Sequence, residues 1–518
     1  MIVDLHTEAG LDPGRVGAKA AWLAMGARIG LPILPGLVVE AADSRGHMRL
    51  AAKTLLERGS GGARLALTAE PLAIADQLVL AGSRLGDNLV ARSSTGLEGS
   101  GEWSGAFASY LELTPGDLPK AVVGCWSSAF AVAALDRQKA AGVEPGSFGM
   151  AVLVQPALSP AAGGTAMIDE KGTVSVTGVK GSPAPLLQGW SAGHDGHSPT
   201  AGEWHGDELV ELLGGAALDE IADCMRIAKG SLGVNRCEWA LDGRIWILQL
   251  GVTPTAPPTT ASPLPAGLVD PRLIRIARLL TRVGGRLGDE LILPWALAGL
   301  PETTPVVTAT SHDALSRARA LRDELVAQVW GLPAPEALAA ARVCMTGVLG
   351  PDPTPALDRI SGLPAPDESL ASQLMALTED LVSHDDTGVP RHGVGRWEPF
   401  VAAVVLAAGE HQRGIAASPG VGAGIRCDIA EPGDTELFAP RTVITSPRPI
   451  PNLAALLWDA AGIVTATGSP SAHLYESARA LGIPAVSGVN VPAGERIVAI
   501  DGDSGLVASI ALDGDENV

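Results

Sequence analysis

The chain has 518 residues and a mass of 52.7 kDa, enough for about three domains of roughly 150 residues each. Its 37 Lys and Arg against 57 Asp and Glu give a net charge of −20, which argues against a nucleic-acid binder with a basic face and against a polybasic membrane anchor. With 46% hydrophobic and only 18% charged residues, the composition supplies large cores and excludes global disorder.

In chain order, apolar periodicity predicts helices over Lys19–Ile29 and Leu209–Lys229, with β-branched runs at Ala151–Gln155, Thr173–Val179 and Arg244–Leu248. The proline-rich stretch Val252–Pro265 can continue neither a helix nor a central strand and reads as a linker. The following segment reads almost wholly helical, with helices at Pro271–Val283, His312–Trp330, Pro335–Val343, Ser369–Val382 and Glu398–Ala408. A break near Gly409–Pro419 opens the last segment. It alternates short strands (Thr442–Thr445, Gly462–Thr465, Ala485–Val486, Arg496–Ile500) with a helix at Ser471–Leu481. Domains are therefore expected at 1–262, 263–410 and 411–511, with a polar tail at 512–518.

The longest apolar runs, such as Phe400–Ala408, fall short of the roughly 20 residues a spanning helix needs. The start M-I-V-D-L-H-T-E lacks the basic-then-apolar order of a signal peptide. Cys125, Cys224, Cys237, Cys344 and Cys427 form no C-x-x-C pair, as expected of buried thiols in a reducing compartment. A soluble cytoplasmic protein without nucleic-acid or membrane partners is the expectation; the sequence says nothing about oligomeric state.

The richest stretch is A-G-I-V-T-A-T-G-S-P-S-A-H-L-Y-E-S-A-R-A-L-G-I-P-A-V, Ala461–Val486. An apolar strand runs into a Gly/Ser/Pro turn and then a helix stopped by Gly482 and Pro484. Ser469 or Ser471 can cap that helix, which puts His473 in its first turn. Unpaired N–H groups there favour an anion and disfavour the imidazolium, so the ring stays neutral and nucleophilic. Locally, a histidine that only caps or packs at a turn fits as well.

The stretch resembles the swivelling phosphohistidine domain of the phosphoenolpyruvate-utilising enzymes, the family of the pyruvate phosphate dikinases and rifampicin phosphotransferase. Gly462–Thr465, Gly468, His473, Ala478, Arg479 and Gly482–Val486 match its pattern in register, and Ala417–Gly424 matches the domain's usual opening. The resemblance implies that His473 is the phosphorylated residue. Ala466, Ser469 and Ala472 stand where the family has an acidic residue, a glycine and a serine.

The N-terminal segment resembles the nucleotide half of the same family, which implies an ATP-grasp-like domain. V-G-A-K-A-A-W-L at Val16–Leu23 puts Lys19 at the position of a nucleotide-phosphate lysine, and L-V-A-R-S-S at Leu89–Ser94 makes Arg92 the phosphate-binding arginine. The Gly/Ser-rich stretch Ser94–Gly105 suits a loop that closes over phosphates. By the same resemblance Gln155 lines the nucleotide pocket, and Glu238 and Gln249, in C-E-W-A…I-L-Q, bind nucleotide and Mg²⁺. Taken singly, each of these residues reads as an ordinary surface cation or strand-edge polar group. The family's arginine after L-Q-x falls on Gly251, and Arg236 or Arg244 is a candidate to replace it.

The chain runs only to Val518, which leaves no room for the α/β barrel of the phosphoenolpyruvate dikinases; the expected layout is that of rifampicin phosphotransferase. In the middle, Arg391, His392, Arg396 and Glu398 crowd around two glycines and form a candidate acceptor site, with a helix-start salt bridge as the plain alternative. His194 and His197 have metal-site spacing, but their Gly/Ser surroundings read as a surface loop.

The fold expected is a multidomain α/β and α+β protein with ATP-grasp-like, helical and swivelling phosphohistidine parts. The function expected is ATP-dependent phosphotransfer through phospho-His473 to a small-molecule acceptor. An ATP-driven ligase and a non-catalytic nucleotide-binding relative stand as alternatives.

Overall fold

Period-two alternation in the N-terminal half builds two antiparallel sheets. In this computed structural model, residues 1–253 and 397–512 are described, except 70–71, 100, 200–202, 432–433 and 435–436, together with 274, 277, 278, 280 and 281. The helices expected between His312 and Val382 lie outside the described residues, as do Arg391, His392, Arg396 and Cys344.

The first sheet comprises β1 (Ile2–Asp4), β2 (Leu37–Val39), β3 (Leu89–Thr95), β4 (Ser109–Leu113) and β5 (Met150–Pro156), in the order β1-β2-β5-β3-β4. On β5, Ala151 and Leu153 enter one core and Val152 and Val154 the other, as strand alternation requires. The first core lies under α1 (Pro13–Arg28). The second lies under α2 (Ala41–Ala69), α3 (Ala75–Gly82) and α4 (Leu118–Ser128), with α5 (Val132–Ala140) following.

The second sheet holds β6 (Ala162–Ile168), β7 (Val174–Lys180), β8 (His194–Ser198), β9 (Arg236–Asp242) and β10 (Arg244–Gly251), ordered β10-β9-β6-β7-β8. Around it run α6 (Ala184–Leu187), α7 (Asp207–Leu213) and α8 (Gly215–Leu232). The single helix expected over Leu209–Lys229 is thus two, divided at Gly214. The segment read as a His-containing loop is instead strand β8, paired with β7. There His194 Nδ1 lies 2.8 Å from Glu208, and the His197 ring lies 5.0 Å from that of His205.

The C-terminal part begins with α9 (Trp397–Ala408) and continues through β11 (Glu410–Arg413), β12 (Ile415–Ser418), β13 (Val421–Asp428), β14 (Val443–Ser446), β15 (Gly462–Thr465), α10 (His473–Leu481), β16 (Ala485–Ser487), β17 (Arg496–Asp501) and β18 (Leu506–Ala511). Its eight strands follow the order β11-β18-β17-β13-β14-β15-β16-β12. Strands β13 to β16 pair in parallel, and β14, β15 and β16 are buried throughout, as expected of a sheet covered on both faces. Helix α10 is the crossover from β15 to β16, so His473 comes off the carboxyl end of a parallel strand, where α/β sheets place their ligand sites.

Helix α9 packs through Val401, Val404 and Val405 on Ala423, Ile497 and Ala508 of the C-terminal sheet. Within the break expected near Gly409–Pro419, β11 pairs with β18 and β12 with β16. Among the described residues no single helix is long and apolar enough to cross a membrane; one apolar pair, Pro115–Ser128 and Val132–Ala140, is bent by 43°.

Candidate active site

Helix α1 is interrupted at Gly17, whose φ is +76°; a Cβ there would lie 2.3 Å from the Ser94 carbonyl. The bare backbone lets α1 and β3 touch, and Ala20 N–H donates to Ser94 Oγ at 3.1 Å. Just past this kink, Lys19 Nζ lies 2.5 Å from Glu98 Oε1, with side chains only 14% and 3% exposed. Glu98 is anchored by its other oxygen, which accepts from Thr95 N–H at 2.9 Å.

Arg92 reaches from β3 to the second sheet. Its guanidinium donates to Leu248 O at 2.6 Å, to Gln249 Oε1 at 3.3 Å and to Glu238 Oε2 at 3.4 Å. Gln249 and Glu238 are register partners across β10 and β9, so their side chains leave the same face. Burial pushes the Glu238 carboxyl up, but Arg92 and Arg236 outweigh it and hold it below the usual carboxylate range. Arg236 Nη2 lies 3.7 Å from Glu238 Oε1 and pairs with Glu476 of α10.

His473 is the first residue of α10. Neither predicted serine caps the helix: the cap is Ala472, Ser469 Oγ accepts from Ser471 N–H, and Ser471 Oγ is 3.1 Å from Thr177 Oγ1. The loop after β3 lies directly against the histidine. Ser104 Oγ is 2.8 Å from His473 Nδ1 and donates to Glu476, and a Cβ on Gly105 (φ +65°) would be 3.1 Å from the ring. Arg137 from α5 ties this loop to the C-terminal part, donating to Ser104 O at 2.9 Å and to Pro451 O at 3.3 Å.

Burial, reinforced by Arg236, Lys19 and Arg137 and opposed by Glu238, lowers the His473 pKa to about 4. The ring is therefore neutral near pH 7, as expected, but burial and neighbouring cations are the cause.

The structure thus gathers Arg92, Glu238 and Gln249 into one cluster, and electrostatics link Lys19 and His473 to it. Gln155 lies on β5 opposite Val90, two places from Leu153, the partner of Arg92, and its amide donates to Leu34 O at 3.1 Å. Glu398 is buried in α9, 3.9 Å from Arg441. That is the helix-start ion pair. Ser104, Glu98, Arg137 and Glu476 are missing from the sequence reading of the site. Glu476 carries a signal: a carboxylate three residues after a histidine shares its helix face. Ser104 and Arg137 join the site only through tertiary packing.

Residues 438–505, which contain β14, β15, α10, β16 and β17, match the family described as PEP-utilising enzyme, mobile domain. The match makes residues 438–505 similar to the mobile domain of the PEP-utilising enzymes. His473 sits within the matched mobile domain. An uncharacterized phosphotransferase, YvkC of Bacillus subtilis (strain 168), is 36% identical over 106 residues, which cover 20% of this chain and 13% of that relative. A solved structure, the N-terminal domain of Enzyme 1 - Nitrogen, shares 15% identity over 46% of this chain and 75% of its own length; its TM-score of 0.12 is too low to carry an argument.

Proposed function

We propose that the chain is an ATP-dependent phosphotransferase of the dikinase type. His473 takes a phosphoryl group derived from ATP and passes it to a small-molecule acceptor, with AMP and phosphate as co-products. One observation carries the reading: the histidine in the stretch that matches a PEP-utilising mobile domain feels Glu238 and Arg236 of β9 and Lys19 of α1, with Arg92 of β3 held against Glu238. The resemblance of this half to an ATP-grasp-like domain and the similarity to a relative named a phosphotransferase agree with it.

Phosphoryl transfer asks the protein mainly for positioning and positive charge. In this reading Lys19 and Arg92 hold the phosphates, and Gln155 lines the nucleotide pocket. The neutral ring of His473 presents its lone pair to the transferred phosphorus. Glu238 and Gln249 offer neighbouring oxygen donors of the kind Mg²⁺ takes, and buried Glu238 Oε1 has no hydrogen-bond partner. When bound, Mg²⁺ would neutralise charge on the phosphates. Delivery to an acceptor requires the C-terminal part to leave this position, and Arg391, His392 and Arg396 remain the proposed acceptor residues.

The test is nucleotide product analysis after mixing the full chain with ATP and Mg²⁺. AMP and a protein-bound phosphoryl group are expected. Release of ADP alone, or unchanged ATP despite binding, would count against the reading.

A further inference from the structure

We propose that Ser104 and Glu476 are positioning residues that keep the His473 proton on Nδ1 and leave Nε2 as the atom that takes the phosphoryl group. The device is complete only while the C-terminal part is docked on the N-terminal sheets. It rests on the phosphotransferase reading and adds to it which residues select the reacting ring atom.

A serine hydroxyl has one proton to give, and an ionised carboxylate can only accept. Ser104 Oγ donates to Glu476 Oε2, so its 2.8 Å contact with His473 Nδ1 requires Nδ1–H to be the donor. Glu476 Oε2 also lies 3.4 Å from Nδ1, which favours a proton on that nitrogen. A neutral imidazole carries one N–H, so Nε2 keeps its lone pair.

Glu476 is fixed for this work. Its other oxygen pairs with Arg236, its side chain is 4% exposed, and its helical spacing from His473 puts both on one face. No hydroxyl from the histidine's own turn does the same job, since Ala472 has none and Ser471 is engaged by Thr177. The hydroxyl therefore comes from the N-terminal part, which ties the tautomer to docking.

In the transfer step the Nε2 lone pair forms the N–P bond to the β-phosphorus as its bond to the AMP oxygen breaks, and AMP leaves with that electron pair. Water then cleaves the β–γ bond, releasing the γ-phosphate as inorganic phosphate and leaving one phosphoryl group on the ring. No proton leaves the ring. The positive charge that develops is shared with Nδ1–H, whose hydrogen bond to Ser104 leads to the Glu476 carboxylate.

The experiment uses the full chain with ¹⁵N-labelled histidine, a long-range ¹H–¹⁵N spectrum at neutral pH, and the rate of His473 labelling from ATP. The His473 signals are assigned by their loss in His473→Gln. The native chain is expected to show the Nδ1–H tautomer and a phosphoryl group on Nε2. Ser104→Ala and Glu476→Gln should each give mixed tautomers and slow labelling about ten- to a hundredfold. Ser104→Thr should restore both. A native Nε2–H tautomer, a phosphoryl group on Nδ1, or native labelling rates in folded Ser104→Ala would overturn the inference. A native chain that never labels would instead overturn the phosphotransferase reading, with the tautomer spectrum judged separately.

Discussion

Arg236 and Gly251 are register partners across β9 and β10, and the Arg236 side chain reaches both Glu238 and Glu476. Gly251 is where the family resemblance has an arginine, and Arg236 stands on the neighbouring strand at the same level of the sheet. The other candidate, Arg244, lies 3.9 Å over the Trp246 ring. Arg236→Ala should slow His473 labelling by about a hundredfold or more, while Arg244→Ala leaves it unchanged. The double change Arg236→Gly with Gly251→Arg should recover part of the loss. Because Arg236→Ala leaves buried Glu476 without its cation and Glu238 with Arg92 alone, it should also destabilise the chain by about 3–5 kcal/mol. Labelling is therefore compared below its unfolding transition.

Several strands were legible because their apolar runs are continuous or strictly alternating: β5, β7, β15 and β17 lie within a residue or so of the expected positions. His473 was legible because a strand, a Gly/Ser/Pro turn and a helix stop signal frame it locally. Its partners were not. Ser104 sits 369 residues away in sequence, and nothing in its own loop signals that α10 will cover it. The pairing of Glu410–Ala417 was hidden for the same reason, since an edge strand with few apolar residues shows no period of its own.

The lowered pKa of His473 sets a pH window for stability. Unfolded, the ring binds a proton below about 6.5; folded, it does so only near pH 4. The unfolded state therefore binds more protons between these values, and stability falls as pH drops from about 6.5 to about 4, then levels off with respect to this group. Urea denaturation across that range should show a steeper acid loss in the native chain than in His473→Gln. Parallel curves would place the ring outside its buried setting.

Lys19 and Glu98 form a buried pair in which Glu98 is also held by Thr95. In the proposed function an incoming phosphate takes over Lys19. Lys19→Met should weaken ATP binding about tenfold or more by calorimetry. Arg28, paired with Glu8 and half-exposed, is the control, and Arg28→Met should leave ATP binding unaltered.

Gly17 is the point where α1 touches β3. An alanine there would need φ near +76° and a Cβ 2.3 Å from the Ser94 carbonyl. Gly17→Ala should lower the unfolding free energy by about 2 kcal/mol or more in chemical denaturation. Gly30→Ala, where the added Cβ meets nothing within 4 Å but φ is +87°, should show the smaller effect of backbone strain alone.

The central claim is that His473 carries phosphorus between two places. The most direct measurement is phosphopeptide mapping after brief exposure of the full chain to ATP labelled at the β- or γ-phosphate, with His473→Gln alongside. The account predicts an acid-labile, base-stable label from β-labelled ATP on the peptide containing His473, lost in the variant, with the γ-label released as phosphate. A native chain that binds ATP yet leaves that peptide unlabelled would contradict it.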